Sequence, residues 1–224
     1  MAVKIVGWLS VLIGGAALVY WAVSGFEFLS SAGAKVEDFD TLVARVAQAA
    51  KAGHAAAGLE SEQCQASTPL HIGGVVLDFL DGKPVLECSA SLRPTAPLRK
   101  PLAIVDLDRK RFDSMSRHLP AALLATSLSA ASTIVLTHCS KTQVGRYGYI
   151  FPQTAYRMDC GLLFVDQNGP SGMQILGIES YSASPPAKIS IRSYFTDVVP
   201  DRPEFYMQDS IVFRAADAAK PGNR

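Results

Sequence analysis

The residues with the strongest chemical potential stand next to each other at His138-Cys139, where an imidazole could activate a thiolate for nucleophilic attack. Neighbours on a strand point to opposite faces, however, so this pair meets only if the strand ends there. Asp78 and Asp81, and again Asp106 and Asp108, supply paired carboxylates suited to acid–base or cation chemistry. Turn and strand-end solvation accounts for both pairs more simply. The four histidines, His54, His71, His118 and His138, are dispersed, and no two cysteines have zinc-site spacing. Phosphate-binding glycine loops, zinc-protease helices and serine-nucleophile elbows are also missing from the sequence. These features lead us to expect a non-enzymatic protein with no cofactor.

Two clusters suit recognition rather than catalysis. Seven basic residues lie between Arg93 and Arg117 (Arg93, Arg99, Lys100, Arg109, Lys110, Arg111 and Arg117), against the acids Asp106, Asp108 and Asp113. Such a patch could face anionic head groups or an acidic partner, or be the solvated start of a helix. The second cluster is aromatic. Tyr147, Tyr149, Phe151 and Tyr156 stand among Gly145, Gly148 and Pro152, with Lys141, Arg146 and Arg157 interleaved. Tyrosine and arginine provide rigid contact area and hydrogen-bond donors at interfaces. Residues 140–157 therefore read as a long recognition loop, with Arg146, Tyr147, Tyr149, Phe151 and Tyr156 as its candidate contacts.

The four cysteines are Cys64, Cys88, Cys139 and Cys160. An even number suggests disulfides in an oxidising compartment, and the two local closures, Cys64–Cys88 and Cys139–Cys160, are preferred. The second would close the base of the aromatic loop.

The compartment follows from the start of the chain. Lys4 and Glu27 bracket an uncharged run of 22 residues, 5–26. As a helix it is roughly 33 Å long, matching the ~30 Å hydrocarbon thickness of a bilayer. Trp8 near one end and Tyr20 and Trp21 near the other fit the two interfaces. A signal peptide cleaved after Ser24 is the alternative, although its apolar core would be shorter. Lys4 precedes the run, and Glu27, Glu37, Asp38 and Asp40 follow it, so the N-terminus is expected in the cytoplasm and the rest outside, in the periplasm of a bacterial envelope.

The elements that must position these residues follow. Residues 1–26 are the expected membrane anchor, 27–36 a small-residue linker, 37–214 one exported domain and 215–224 a flexible tail. Phe39, Leu42, Val43, Val46 and Ala50 recur at helical spacing and predict a helix over about 38–57. Val75, Leu77 and Phe79 alternate before Asp81-Gly82, and Val85, Leu86 and Cys88 follow. That pattern predicts a β-hairpin with a two-residue turn. A strand is expected over 102–107, and a helix carrying Phe112, Met115 and Leu119 with Pro120 ending it or opening another. Further strands are expected over 133–139, 156–165, 173–180, 188–195 and 205–213.

The fold class is thus α+β: an N-terminal transmembrane helix, then one exported domain with a mainly antiparallel sheet and two or three helices. With 21 Lys and Arg against 20 Asp and Glu, a net charge of +1 and 49% hydrophobic residues, the chain is neither disordered nor a nucleic-acid binder. The expected function is an envelope interaction module serving assembly, inhibition or immunity through a protein partner, with residues 5–26 in the lipid bilayer. An extracytoplasmic ligand-sensing or glycan-binding domain is the alternative, and a thiol- or serine-dependent hydrolase a distant third.

Overall fold

The structure is a computed structural model that describes residues 33–56, 72–83, 92–94, 97–147, 153–170, 172–186 and 198–217. The apolar run 5–26, Cys64, Cys88, Tyr149, Phe151 and the strand expected over 188–195 lie outside the described residues. No helix among the described residues is long and apolar enough to cross a membrane.

The fold is α+β. Five strands, β1 (Leu102–Asp106), β2 (Arg111–Phe112), β3 (Thr133–Tyr147), β4 (Gln153–Gly169) and β5 (Gly172–Ala183), form one sheet in the order β2-β1-β3-β4-β5. Three of its four pairings are antiparallel, while β1 and β3 run parallel, so the sheet is mixed. Its centre is apolar on both faces, as expected of strands covered on both sides. β1 reads Leu-Ala-Ile-Val-Asp and is buried throughout.

Helices α1 (Phe39–Lys51) and α2 (Ile72–Leu80) cover one face, where Phe39, Leu42, Val46, Val76 and Phe79 join Val105, Ile134, Leu136, Leu163 and Ile175. Two 3-10 turns (Ser114–His118 and Ala121–Leu123) and helix α3 (Glu204–Asp217) cover the other. There Met115, Leu119, Met207 and Ile211 meet Ile104, Val135, Leu162 and Phe164.

The chain on either side of α1 caps opposite sheet edges. Residues before it pair with β2 (Lys35 opposite Arg111, with Phe112 N–H donating to Ala34 O at 2.9 Å). Residues after it pair with β5, where Ala55 lies opposite Ile175. A helix of 13 residues is about 20 Å long, close to the ~19 Å width of five strands, so α1 is matched to the distance it must cross. Strand edges open to other chains invite aggregation, and the chain beside α1 covers the short β2 edge and meets the β5 edge at Ile175.

Several expectations are corrected. The N-terminal half of the expected hairpin is helix α2, which buries Ile72, Val76 and Phe79 at helical spacing. Asp81-Gly82 ends this helix rather than turning a hairpin. Gly82 takes φ +78°, its N–H donates to Phe79 O, and Lys83 N–H donates to Asp78 O, which is the Schellman cap. A left-handed glycine satisfies either motif, and the periodicity upstream decides. The expected strand over 205–213 is helix α3, whose buried residues are Met207, Ile211 and Ala215 at i, i+4 and i+8. It runs to Asp217, taking in the first residues of the expected tail. The helix expected around Phe112–Leu119 resolves into strand β2 and a 3-10 turn, and Pro120 precedes the second 3-10 turn. Residues 140–157 are for the most part strand rather than loop.

Candidate functional site

Strands β3 and β4 outrun β1. β1 accompanies β3 only as far as Thr137, and β3 continues for ten further residues paired with β4 on its other side and with no described strand on the side that β1 vacates. Buried on both faces up to His138, β3 becomes mostly exposed from Lys141 to Arg146. This extension, the β3–β4 arm, is open along its β3 edge, whose backbone groups no described strand pairs, while its β4 side is flanked by β5 as far as Met158 and then by Val198 opposite Ala155.

Cys139 and Cys160 sit opposite each other just past the end of β1, where the open β3 edge begins. Their sulfurs are at disulfide distance and their Cα atoms 4.1 Å apart. The expected Cys139–Cys160 pairing is therefore present, at the base of the segment it was expected to close. Cys139 packs against the α3 face, whereas His138 points to the α1–α2 face and meets the Phe79 ring edge-on at 6.0 Å. The imidazole and the sulfur thus lie on opposite sides of the sheet, and no histidine-activated thiol is assembled there.

His138 has a different role. Its Nδ1 lies 2.6 Å from Asp108 Oδ1 and its Nε2 2.9 Å from Gly82 O, so it joins the end of α2 to the β1–β2 turn. Each ring nitrogen thus faces an oxygen, and the imidazole bridges the two elements. The other expected carboxylates are also engaged. Asp106 Oδ1 accepts the N–H groups of Asp108 and Arg109, each at 3.0 Å, closing the turn after β1. Asp78 pairs with Lys83 at 2.5 Å on the surface. Among the described residues no group of three or more His, Cys, Asp or Glu side chains could hold a metal ion.

The expected recognition residues divide. Gln143 lies opposite Tyr156 and Gly145 opposite Ala155, so Val144 is the extra residue of a bulge. Beyond it Arg146 pairs with Thr154 and Tyr147 with Gln153. Directly opposed residues share a face. Arg146 and Tyr156 therefore occupy one face of the arm, the face that continues Cys160 and Met158, and Tyr147 the other. Tyr147 Oη donates to Pro186 O, which ties its ring to the chain beyond β5. The basic cluster divides too. Arg99 and Lys100 precede β1 and Arg109, Lys110 and Arg111 follow it, about 16 Å away along five residues. Arg99 lies 3.4 Å from Asp166, and Lys110 lies 2.9 Å from Asp40 and above the Phe39 ring at 5.3 Å.

Two buried ion pairs that the sequence reading passed over secure what surrounds the arm. Asp113, with no side-chain exposure, accepts from Met115 N–H (2.9 Å), Thr137 Oγ1 (2.5 Å), Arg202 Nη1 (3.1 Å) and Arg202 Nη2 (2.7 Å). Arg202 also donates from Nε to Cys139 Sγ at 3.1 Å, so one guanidinium joins the 3-10 turn, the disulfide and the segment leading into α3. Burial disfavours its charge, but the hydrogen bonds and field of Asp113, aided by Asp106 and Glu204, outweigh it and hold its pKa above the ordinary value. Glu179 on β5 accepts from Tyr181 Oη and Ser210 Oγ, each at 2.5 Å, and from Arg214 Nε at 2.8 Å. Burial, then the bond to Glu179, pushes the Tyr181 hydroxyl up to about 12. A lone charge inside an apolar strand run, such as Glu179 after Gly177-Ile178, is the available sequence signal for such a pair.

Beside the disulfide, Asp106, Arg109, Lys141, Met158 and Arg202 surround a cavity of about 400 Å³. Comparison with known proteins finds no matching family model, no matching curated protein and no matching solved structure.

Proposed function

We propose that this chain is a single-pass membrane-anchored interaction module whose domain stands outside the cytoplasm and meets a protein partner through the β3–β4 arm. The observation that carries the reading is the arm itself. It is the part of β3–β4 that runs past β1, cross-linked near its start by Cys139–Cys160 and flanked on its β4 side by β5 and Val198, with Arg146 and Tyr156 sharing one face and the β3 edge left open among the described residues. Open edges accept an added strand, and a clamped arm offers it without loss of conformational entropy. The uncharged run 5–26, its flanking charges and the disulfide support the anchored, exported placement.

Photo-crosslinking from position 143 in native membranes tests the contact. A single stoichiometric product is expected, weakened by Arg146→Ala with Tyr156→Ala by roughly 30-fold in affinity, as for an interface anchor worth ~2 kcal/mol. A product indifferent to both substitutions refutes the arm as the contact. A reporter active only outside the cytoplasm, fused after Arg224, tests the placement and is expected to be active.

The cavity beside the disulfide favours a second reading, a ligand-sensing domain. Of its charged lining, Arg109 lies 3.9 Å from Asp106 and Asp108 bonds His138, which leaves Lys141 as the side chain that suits an anionic ligand. Lys141→Ala would then abolish ligand binding while sparing the arm's cross-link.

A further inference from the structure

Helix α3 presents to solvent a face that the fold does not use. Met207, Ile211 and Ala215 point to the sheet and are fully buried. On the opposite side Phe205, Tyr206 and Phe213 are 68%, 65% and 66% exposed, and Phe205 and Tyr206 meet edge-to-face at 5.8 Å. Large aromatic rings left exposed together on one helix face mark an interaction site more often than chance. The exposed Asp209 follows Phe205 by four residues and precedes Phe213 by four, so helical spacing sets its carboxylate among the rings.

The charges choose the occupant. Asp201, at the approach to the helix, is exposed, as is Asp209, whereas Glu204 in the first turn lies 3.8 Å from Arg202. Arg214 points inward to Glu179, so among the described residues of α3 no cation faces outward. A second copy docking by a two-fold axis would bring Asp209 toward Asp209, and an anionic bilayer would meet these same carboxylates. A cation beside Asp209 gains a carboxylate and the faces of aromatic rings together. Arg202–Asp113 and Arg214–Glu179 fasten both ends of the helix, so the face is presented already ordered.

We propose that the outward face of α3 docks a cationic amphipathic helix of a partner protein, its Lys or Arg received by Asp209 and its apolar side chains by Phe205, Tyr206 and Phe213. This surface is separate from the arm, and the proposal stands without it.

The test uses the full chain in non-ionic detergent and two fluorescent 18-residue helical peptides, one of leucine and lysine and one of leucine and glutamate. The lysine peptide is expected to bind and the glutamate peptide not. Asp209→Lys is expected to weaken the lysine peptide by about 30-fold and to admit the glutamate peptide. Phe205→Ala with Phe213→Ala is expected to abolish binding of either without changing the circular dichroism, since both rings are exposed. An Asp209→Lys chain with unchanged preference overturns the proposal. So does self-association of the wild type that the double Phe variant loses, which would assign the face to a second copy. In proteoliposomes containing phosphatidylglycerol, cross-linking of benzoylphenylalanine at position 213 to lipid would assign it to the bilayer instead and equally overturn the proposal.

Discussion

Replacing Arg202 with methionine removes one partner of the most enclosed ion pair described and keeps most of the side-chain volume. The Asp113 carboxylate is then left with no exposure and no counter-charge, retaining only the Met115 N–H and the Thr137 hydroxyl. Breaking a buried pair from one side costs about 3–5 kcal/mol, because the remaining charge stays desolvated. Arg202 is itself 18% exposed, which places the expectation near the lower end, about 3 kcal/mol. For a domain of this size that lowers Tm by roughly 6–12 °C, measured by circular dichroism on the full chain in detergent. The cause can be separated from lost packing by a second change. Asp113→Asn keeps an acceptor for Met115 N–H and turns an amide N–H toward Thr137 Oγ1, whose hydroxyl can donate to Val105 O instead, but removes the charge. In the wild type it should destabilise, by about 1.5–3 kcal/mol, by taking a charged acceptor from Arg202. In the Arg202→Met background it should restore stability, because no orphan charge remains. If Arg202→Met lies within ~1 kcal/mol of wild type, or Asp113→Asn makes the methionine variant worse, the buried charge is not what holds α3 to the disulfide and the reasoning fails.

Three other expectations rest on separate contacts. A Cβ on Gly73 would lie 2.6 Å from Ala50 O, a backbone atom of α1, whereas one on Gly74 meets nothing within 4 Å. Gly73→Ala should therefore destabilise by more than ~1 kcal/mol, and Gly74→Ala should stabilise by about 0.5–1 kcal/mol, as read by chemical unfolding. Cys139→Ala with Cys160→Ala opens a closure of 21 residues and should cost about 3 kcal/mol, while peptide mapping without reductant should recover the 139–160 link from wild type. Tyr181 carries the pH expectation: its folded pKa, about 12, lies above the ordinary 10.0. The folded state therefore keeps a proton that the unfolded chain releases, so its contribution is complete below pH 10 and disappears as pH rises toward 12. The stability difference between wild type and Tyr181→Phe should be flat below pH 10 and shrink above it, and a difference independent of pH through 12 would show that the hydroxyl is not buried against Glu179.

The sheet was legible where the signal was local. Residues 102–107, 133–139, 156–165 and 173–180 carry β-branched and aliphatic runs too short for helices, and each is a strand. Register and order were not legible, because the parallel contact of β1 with β3 depends on a connection through the 3-10 turns. Two segments failed for one physical reason. Val75-Val76-Leu77 and Phe205-Tyr206, with Val212-Phe213, are rich in strand-favouring residues, yet both segments are helices. In each, the residues that decide the matter are the buried ones, Ile72, Val76 and Phe79, or Met207, Ile211 and Ala215. Their spacing of three or four outweighs propensity once a sheet face is available to cover.

The same competition explains what was found and missed at the candidate site. Cys139 and Cys160 could be paired from sequence because the closure is local, 21 residues apart, and each cysteine falls within an apolar run read as a strand. Arg146 and Tyr156 share a face only because Val144 is an extra residue. Without that bulge, strict alternation from Gln143 opposite Tyr156 would carry Arg146 to the other side and bring Tyr147 to the side of Tyr156. One inserted residue thus sets which side chains a partner of the arm could touch together. The exposed rings of α3 were hidden by the opposite error. Read as a strand, Phe205 and Phe213 fall on one buried face with Met207 and Ile211. Read as a helix, they part from those residues and face water, and the same four apolar side chains turn from a core strand into a core stripe and a docking stripe.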